Sequence, residues 1–149
     1  MASIGQRGKW AEKQVNTWMK ARNDAAARFA FLRYPDARAG SLQTAPSDFL
    51  ATSNGVHYKV EVKEVTIPPT RKTRLLPQAN FSSDKVSRMA KWRLAGDTCM
   101  VIVCHLPMRE WRLVPLSVFL GPKVPSWDLT EHQAYKTHGE LLLALFGEI

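Results

Sequence analysis

Residues 46–65 read PSDFLATSNGVHYKVEVKEV. Asn54-Gly55 is a strong hairpin signal, because both residue types tolerate the positive φ that a tight two-residue turn demands. Beyond the turn the chain alternates. Val56, Tyr58, Val60 and Val62 point one way, and His57, Lys59, Glu61 and Lys63 point the other. The pattern predicts a short strand at 48–51, a turn at 54–55 and a second strand from Val56 to about Val65. Counting outward from the turn sets position 61 almost opposite position 48, since 54 − 48 equals 61 − 55. Two carboxylates that face each other repel unless a cation lies between them. Two readings fit this spacing about equally. One is a surface ladder of ion pairs among Lys59, Glu61 and Lys63 on a solvated edge. The other is a pair of carboxylates, Asp48 and Glu61, gathered around a bound divalent ion with Lys63 beside it.

Outward from the hairpin, residues 9–27 have helical periodicity, with Trp10, Ala11, Val15, Trp18 and Met19 on one face and Glu12 at its margin. Residues 28–34 (RFAFLRY) resemble a strand that Pro35-Asp36 ends. Residues 66–82 form a long connection carrying Pro68, Pro69, Arg71, Lys72, Arg74 and Pro77, and connections of that length are usually functional or disordered. A helix is expected at 83–95, capped by Ser82 or Ser83, with a buried stripe of Val86, Met89, Ala90 and Leu94, and stopped by Gly96. The apolar run at 99–104 (CMVIVC) suits a central strand covered on both faces. A strand at 110–114 follows through the turn Leu106–Arg109, and residues 131–146 read as a helix. Strand 56–65, helix 83–95 and strand 99–104 make a βαβ crossover. The whole, 1–149, reads as a single α/β domain with a central mixed sheet flanked by helices.

The formal net charge is +8, unevenly placed. Residues 1–93 hold 17 Lys and Arg against 7 Asp and Glu, and residues 94–149 hold 4 against 6. A basic surface confined to one part of a fold is an electrostatic footprint for a polyanion, which favours nucleic acid over a partnerless solvated face. Cys99 and Cys104 read as reduced core residues of a cytoplasmic protein, and the four histidines as structural. The polar N-terminus lacks an apolar leader core, and the longest apolar run falls well short of the roughly 20 residues that span a bilayer, so no membrane role is expected. Trp10, Trp18 and Trp111 read as core. Trp92 lies off the main apolar stripe of its helix and stays ambiguous.

At these residues the chain resembles the PD-(D/E)XK nuclease superfamily, whose fold is restriction-endonuclease-like. Pro46-Ser47-Asp48 stands for the PD element, with one extra residue between proline and aspartate, and Glu61-Val62-Lys63 is a full E-x-K. More narrowly, it resembles archaeal (Hjc-like) and RecU-type Holliday junction resolvases. Gly8-Lys9-Trp10-Ala11-Glu12 is similar to their N-terminal Gly…Glu element, Arg38-Ala39-Gly40-Ser41 to the Arg/Ser segment before the PD element, and Pro77–Gly96 to their basic helix. The resemblance implies a metal-dependent endonuclease acting on DNA, on four-way junctions as a homodimer, with roles in recombination and repair. It implies that Asp48, Glu61 and the Val62 backbone carbonyl ligate Mg²⁺ or Mn²⁺, that Lys63 orients the attacking water, and that Glu12 approaches the metal from the first helix. Ser41 and Arg38 would sit beside the scissile phosphate. Glu64, on the opposite face by alternation, reads as structural. Lys9, Arg71, Lys72, Arg74, Lys85, Arg88 and Lys91 are candidate phosphate contacts, and such contacts give salt-sensitive, sequence-independent affinity. A dimer interface is expected on the first helix or on strand 110–114. Two rivals remain on the residues themselves: a nuclease for flaps or duplex on the same fold, and a DNA-binding module without catalysis.

Overall fold

The computed structural model describes residues 9–35 and 45–149. Of the sequence candidates, Arg38 and Ser41 lie outside the described residues, as does Gly8. Helix α1 (Trp10–Ala25) leads into strand β1 (Phe29–Arg33) and the hairpin of β2 (Phe49–Ser53) and β3 (Val56–Thr66). Strand β4 (Leu75–Pro77), helix α2 (Ser83–Leu94), β5 (Thr98–Leu106) and β6 (Glu110–Pro115) follow, then β7 (Ser126–Asp128), β8 (Ala134–Tyr135) and helix α3 (His138–Phe146). The main sheet has the order β1-β2-β3-β5-β6-β8. Strands β3 and β5 run parallel and every other neighbouring pair is antiparallel, which makes β3-α2-β5 the expected crossover in a mixed sheet.

The hairpin has the register that the turn chemistry dictates. Asn54 and Gly55 take φ of 50° and 82°, and Ser53 pairs with Val56 and Phe49 with Val60. The same register carried one step further sets Asp48 against Glu61. Apolar side chains from the two sheet faces then build two cores. On one face Tyr58, Val60, Val62, Phe49, Ala51, Ile102 and Cys104 pack with Ala11, Val15 and Met19 of α1 and Leu141, Leu142 and Leu145 of α3. On the other, Val65, Val101 and Val103 pack with Val86 and Met89 of α2 and with Leu76, Phe81, Leu116 and Leu129. Both faces of β5 are thus covered, as its unbroken apolar run requires. Trp18 and Trp111 meet at 4.6 Å between ring centroids and Trp10 and Trp111 at 6.0 Å; Trp111 is in the core, and Trp10 and Trp18 pack against it half-buried. Burial pushes the Cys99 thiol up to about 11 and Cys104 up to about 12, which keeps both protonated and inert.

Several expectations are corrected. The C-terminal helix starts at His138, not at 131, because the Thr137 hydroxyl caps it by accepting from Glu140 N at 3.2 Å. Residues 134–135 instead add an edge strand to β6. The connection 66–82 is not wholly irregular, since Leu75–Pro77 pairs with Ser126–Asp128 in a second, two-stranded sheet. That pairing depends on a segment 40 or more residues away and leaves no periodicity to read. Leu94 is not in the buried stripe of α2: it is 83% exposed at the helix end, where the helix has run past the sheet it packs on. The strand expected at 110–114 is β6, with Trp111 and Val114 buried and the short β8 paired along Trp111 and Arg112.

Glu64 departs from its neighbours in a useful way. Lys9, at the N-cap of α1, makes no side-chain cap, and Glu64 Oε1 instead accepts from Ala11 N at 2.9 Å. A carboxylate from β3 therefore satisfies an orphan donor of the first turn and complements the positive end of the helix. Glu64→Ala is expected to cost about 1 kcal/mol, lowering the melting temperature by roughly 2–4 °C; an unchanged thermal midpoint would remove this cross-element cap.

Candidate active site

Asp48 is fixed from three directions. Its backbone N–H donates to Glu61 Oε1 at 3.0 Å, its backbone carbonyl accepts from Tyr34 N at 2.9 Å, and its carboxylate Oδ2 accepts from Val62 N at 2.8 Å. Asp48 and the Glu61-Val62 dipeptide are thus interlocked across the hairpin. The extra Ser47 of the P-S-D sequence is fully buried, its hydroxyl donating to Phe49 O at 2.7 Å, so the inserted residue is absorbed by a tight local bond. Phe49 beside it is fully buried, and burying such a ring stabilises by roughly 1.5–3 kcal/mol, which anchors the strand end that presents Asp48.

The charged face of β3 is no solvated edge. Helix α2 crosses over it, and Lys59 is 4% exposed and Glu61 2% exposed. The ladder keeps only its Glu61–Lys63 rung, and not on a solvated edge: Lys59 pairs with Asp97, beyond α2, and not with Glu61. Lys63 Nζ stands 3.1 Å from Glu61 Oε2 and 5.1 Å from the centroid of the Phe81 ring, an aromatic floor that holds the ammonium over the acidic pair. Lys85 Nζ, reaching down from α2, is 3.6 Å from Glu61 Oε1 and 3.4 Å from Ala45 O.

Asp48 is the perturbed group. Burial, then the charge of Glu61, then that of Glu12, push its carboxyl up to about 8, against the lowering effects of the Val62 N–H and of Lys63. Glu12 is buried on α1 and paired with Arg33 Nη2 at 3.1 Å, so it reaches the site as a nearby charge already engaged by an arginine. Arg33 was not singled out in the sequence; its place at the end of β1 follows only from the β1–β2 register, which brings residues 33 and 49 together.

This donor set suits a hard divalent ion. Two carboxylates, Asp48 and Glu61, stand side by side across the hairpin, and Mg²⁺ is commonly held by one or two carboxylates with the remaining positions filled by water and phosphate. Among the described residues no group of three or more His, Cys, Asp or Glu side chains stands where it could hold a metal ion, so a closed all-protein cage of the zinc type does not fit.

The basic candidates divide. Arg71 and Lys72 are exposed on the connection before β4, and Arg88 and Lys91 lie on α2, beside Lys85. Lys9 stands at the N-terminus of α1. Arg74 is tied down: its guanidinium makes two bonds to Glu110, at 2.9 and 3.0 Å, and Arg112 adds a third at 2.9 Å. These arginine bonds, that from Arg74 first, hold the Glu110 carboxyl down at about 2. The sequence showed Arg74 as one more charge in a basic run; its partner comes from β6.

Fold and site together define a chain with the restriction-endonuclease-like architecture, a mixed sheet flanked by helices with the acidic pair at the end of the β2–β3 hairpin. Solved structures place it there. Hjc from Archaeoglobus fulgidus, a Holliday junction resolvase, matches with a TM-score of 0.54 and 21% identity over 83% of this chain and 88% of that one. A bacterial homing endonuclease matches with a TM-score of 0.55 and 12% identity over 98% and 95% of the two chains. No protein-family model and no curated protein matches the chain.

The raised Asp48 carboxyl sets a pH-dependent stability. A group whose folded pKa lies above its unfolded value contributes stability below the unfolded value, near 3.8, and loses it as pH rises through the folded value, about 8. Asp48→Asn removes that loss while keeping an acceptor for Val62 N. In metal-free buffer the variant is expected to melt above the parent chain by a margin that widens from pH 4 to pH 8 and is level beyond. A constant margin across that range would show that Asp48 carries no buried charge.

Proposed function

We propose that this chain is a metal-dependent DNA endonuclease. The observation that carries the reading is the interlocked pair of Asp48, half-buried, and Glu61, buried, across a hairpin, with the Lys63 ammonium 3.1 Å from Glu61. Burying two carboxylates side by side is costly, and folds retain such pairs where a ligand supplies the compensating charge. In this reading Asp48, Glu61 and the Val62 carbonyl hold Mg²⁺ or Mn²⁺. When bound, the ion neutralises charge building on the phosphate and lowers the pKa of a coordinated water. Lys63, held between Glu61 and the Phe81 ring, orients the water and donates to the phosphoryl oxygens. Lys85 is placed to meet the phosphate on the α2 side, and Glu12, neutralised by Arg33, steadies the electrostatics behind Asp48. Arg71, Lys72, Arg88 and Lys91 contribute the salt-sensitive grip on the backbone. Cleavage of plasmid DNA tests the centre: Asp48→Asn and Glu61→Gln are expected to lower the rate at least about 100-fold while DNA binding survives, because each change removes negative charge near phosphate. Chelation of divalent ions should silence the parent chain. Cutting by either variant at the parent rate would sink this centre.

The substrate reading that follows is a four-way junction cut by a homodimer. It is supported by the E-x-K, P-S-D and Gly…Glu elements and by the likeness to a resolvase. Resolution requires two symmetric cuts, and a twofold dimer supplies two related sites. A second reading, cleavage of duplex or flaps, is favoured by the equal likeness to a homing endonuclease, 0.55 against 0.54 in TM-score. Junction and linear duplex of the same sequence, offered together to the metal-loaded protein, separate the two. Preferred cutting of the junction by a species that scatters light as a dimer is the expected result; a monomer that cuts both DNAs alike would select the second reading.

A further inference from the structure

Trp92 is 43% exposed on α2, a large apolar surface left at the side of the helix that flanks the acidic pair. It lines an open cleft of about 490 Å³ together with Pro46, Arg88, Lys91 and Ala95. Two features set this cleft apart from ordinary exposed apolar surface. The indole is held from behind, because Lys59 Nζ lies 4.3 Å from its ring centroid and is itself buried and paired with Asp97. The exposed part of the ring is flanked by cations, with Arg88 and Lys91 on the cleft walls, and Arg88 Nε is buried without a hydrogen-bond partner among the described residues. The cleft is also a neighbour of the acidic pair. Lys85, Arg88 and Trp92 stand at i, i+3 and i+7 on α2, one stripe of the helix, and Lys85 touches both Glu61 and the carbonyl of Ala45, next to Pro46 in the cleft. Seven residues of helix rise about 10 Å, or roughly three nucleotide steps along a strand at 3.4 Å each.

We infer that Trp92, walled by Arg88 and Lys91, is a stacking platform for an unpaired nucleobase about three nucleotides from the scissile phosphate. An aromatic face bordered by cations is the chemistry that holds single-stranded nucleic acid: the ring takes any base and the cations follow the backbone. Continuous duplex keeps its bases stacked on one another and cannot present one to the ring. The platform therefore selects DNA that is open near the cut, at a branch, a flap or a frayed end. This inference deepens the nuclease reading and rests on it, but its test needs no cleavage.

Binding of a thymidine 12-mer and of the same strand in duplex with its complement is measured in metal-free buffer at fixed salt. Trp92→Ala is expected to weaken binding of the single strand roughly 5- to 150-fold, the loss typical of one stacked base, and to leave the duplex within about twofold. Trp92→Phe keeps a ring and should retain most of the single-strand affinity. Because the residue is partly exposed, circular dichroism is expected to show both variants folded. Indole fluorescence gives a second reading: quenching of the parent protein by the single strand should be largely lost in Trp92→Phe, since the other four tryptophans do not meet the base. Equal losses on both DNAs, no loss on either, or undiminished quenching in Trp92→Phe would overturn the platform and leave the catalytic proposal standing. A parent chain that bound neither DNA would overturn the platform, while cleavage of plasmid DNA by the metal-loaded protein judges the nuclease reading separately.

Discussion

Two hydrogen bonds across one hairpin organise this site: Asp48 N–H to Glu61 and Val62 N–H to the Asp48 carboxylate. They hold two acidic side chains at a separation that neither would choose in isolation. The cost is visible in Asp48, whose carboxyl is pushed up to about 8 by burial and then by the charge of Glu61. Everything around the pair answers to that charge. Lys63 sits against Glu61 from the same strand, Lys85 leans in from α2, and Glu12, which would add to the repulsion, is engaged by Arg33. Acidic and basic side chains are thus interleaved around the pair, each carboxylate with a cation or a backbone N–H beside it.

Helix α2 serves three neighbours at once. Ser82 caps it by accepting from Lys85 N at 3.2 Å, so the helix starts where Lys85 can reach Glu61. Val86 and Met89 seat it on β5 and the second core, which sets its distance from the sheet. The flank that remains carries Arg88, Lys91 and Trp92 along the approach to the acidic pair. By covering β3, the same helix turns a charged strand face that would be solvated into a nearly buried one, and burial strengthens the electrostatic interactions there.

On the same face of the β3–β5 unit as α2, the small β4–β7 sheet closes the second core. His105 on β5 is buried there, its Nε2 within 2.9 Å of Leu75 O, and burial lowers its affinity for a proton. The Arg74–Glu110–Arg112 cluster ties the connection before β4 to β6. Arginine and histidine in this region serve the fold: they fasten a flap whose strands are too short to hold themselves. Phe81 shows why this matters to the site, since it packs with Phe119 and Trp127 on the flap side and lies under Lys63 on the other.

Much of this molecule is written locally. Asn54-Gly55 sets the turn, the turn sets the register, and the register alone brings Asp48 to Glu61, because a two-residue loop leaves no freedom to slip. The period-2 pattern of β3, the apolar run of β5 and the Ser82 and Gly96 boundaries of α2 are likewise properties of neighbours along the chain. What lay beyond reach depends on elements that meet only after folding. Lys59 and Glu61 read as an exposed ladder or as a centre with equal force, and only the passage of α2 over them decides for burial. Arg74 reads as a phosphate contact until β6 supplies Glu110, and Arg33 carries no signal until β1 delivers it to Glu12. The strand at 75–77 and its partner at 126–128 are each too short to show a period. Sequence patterns encode which side of an element is apolar; which charge faces which, and in how much water, is settled by contacts between residues far apart in the chain.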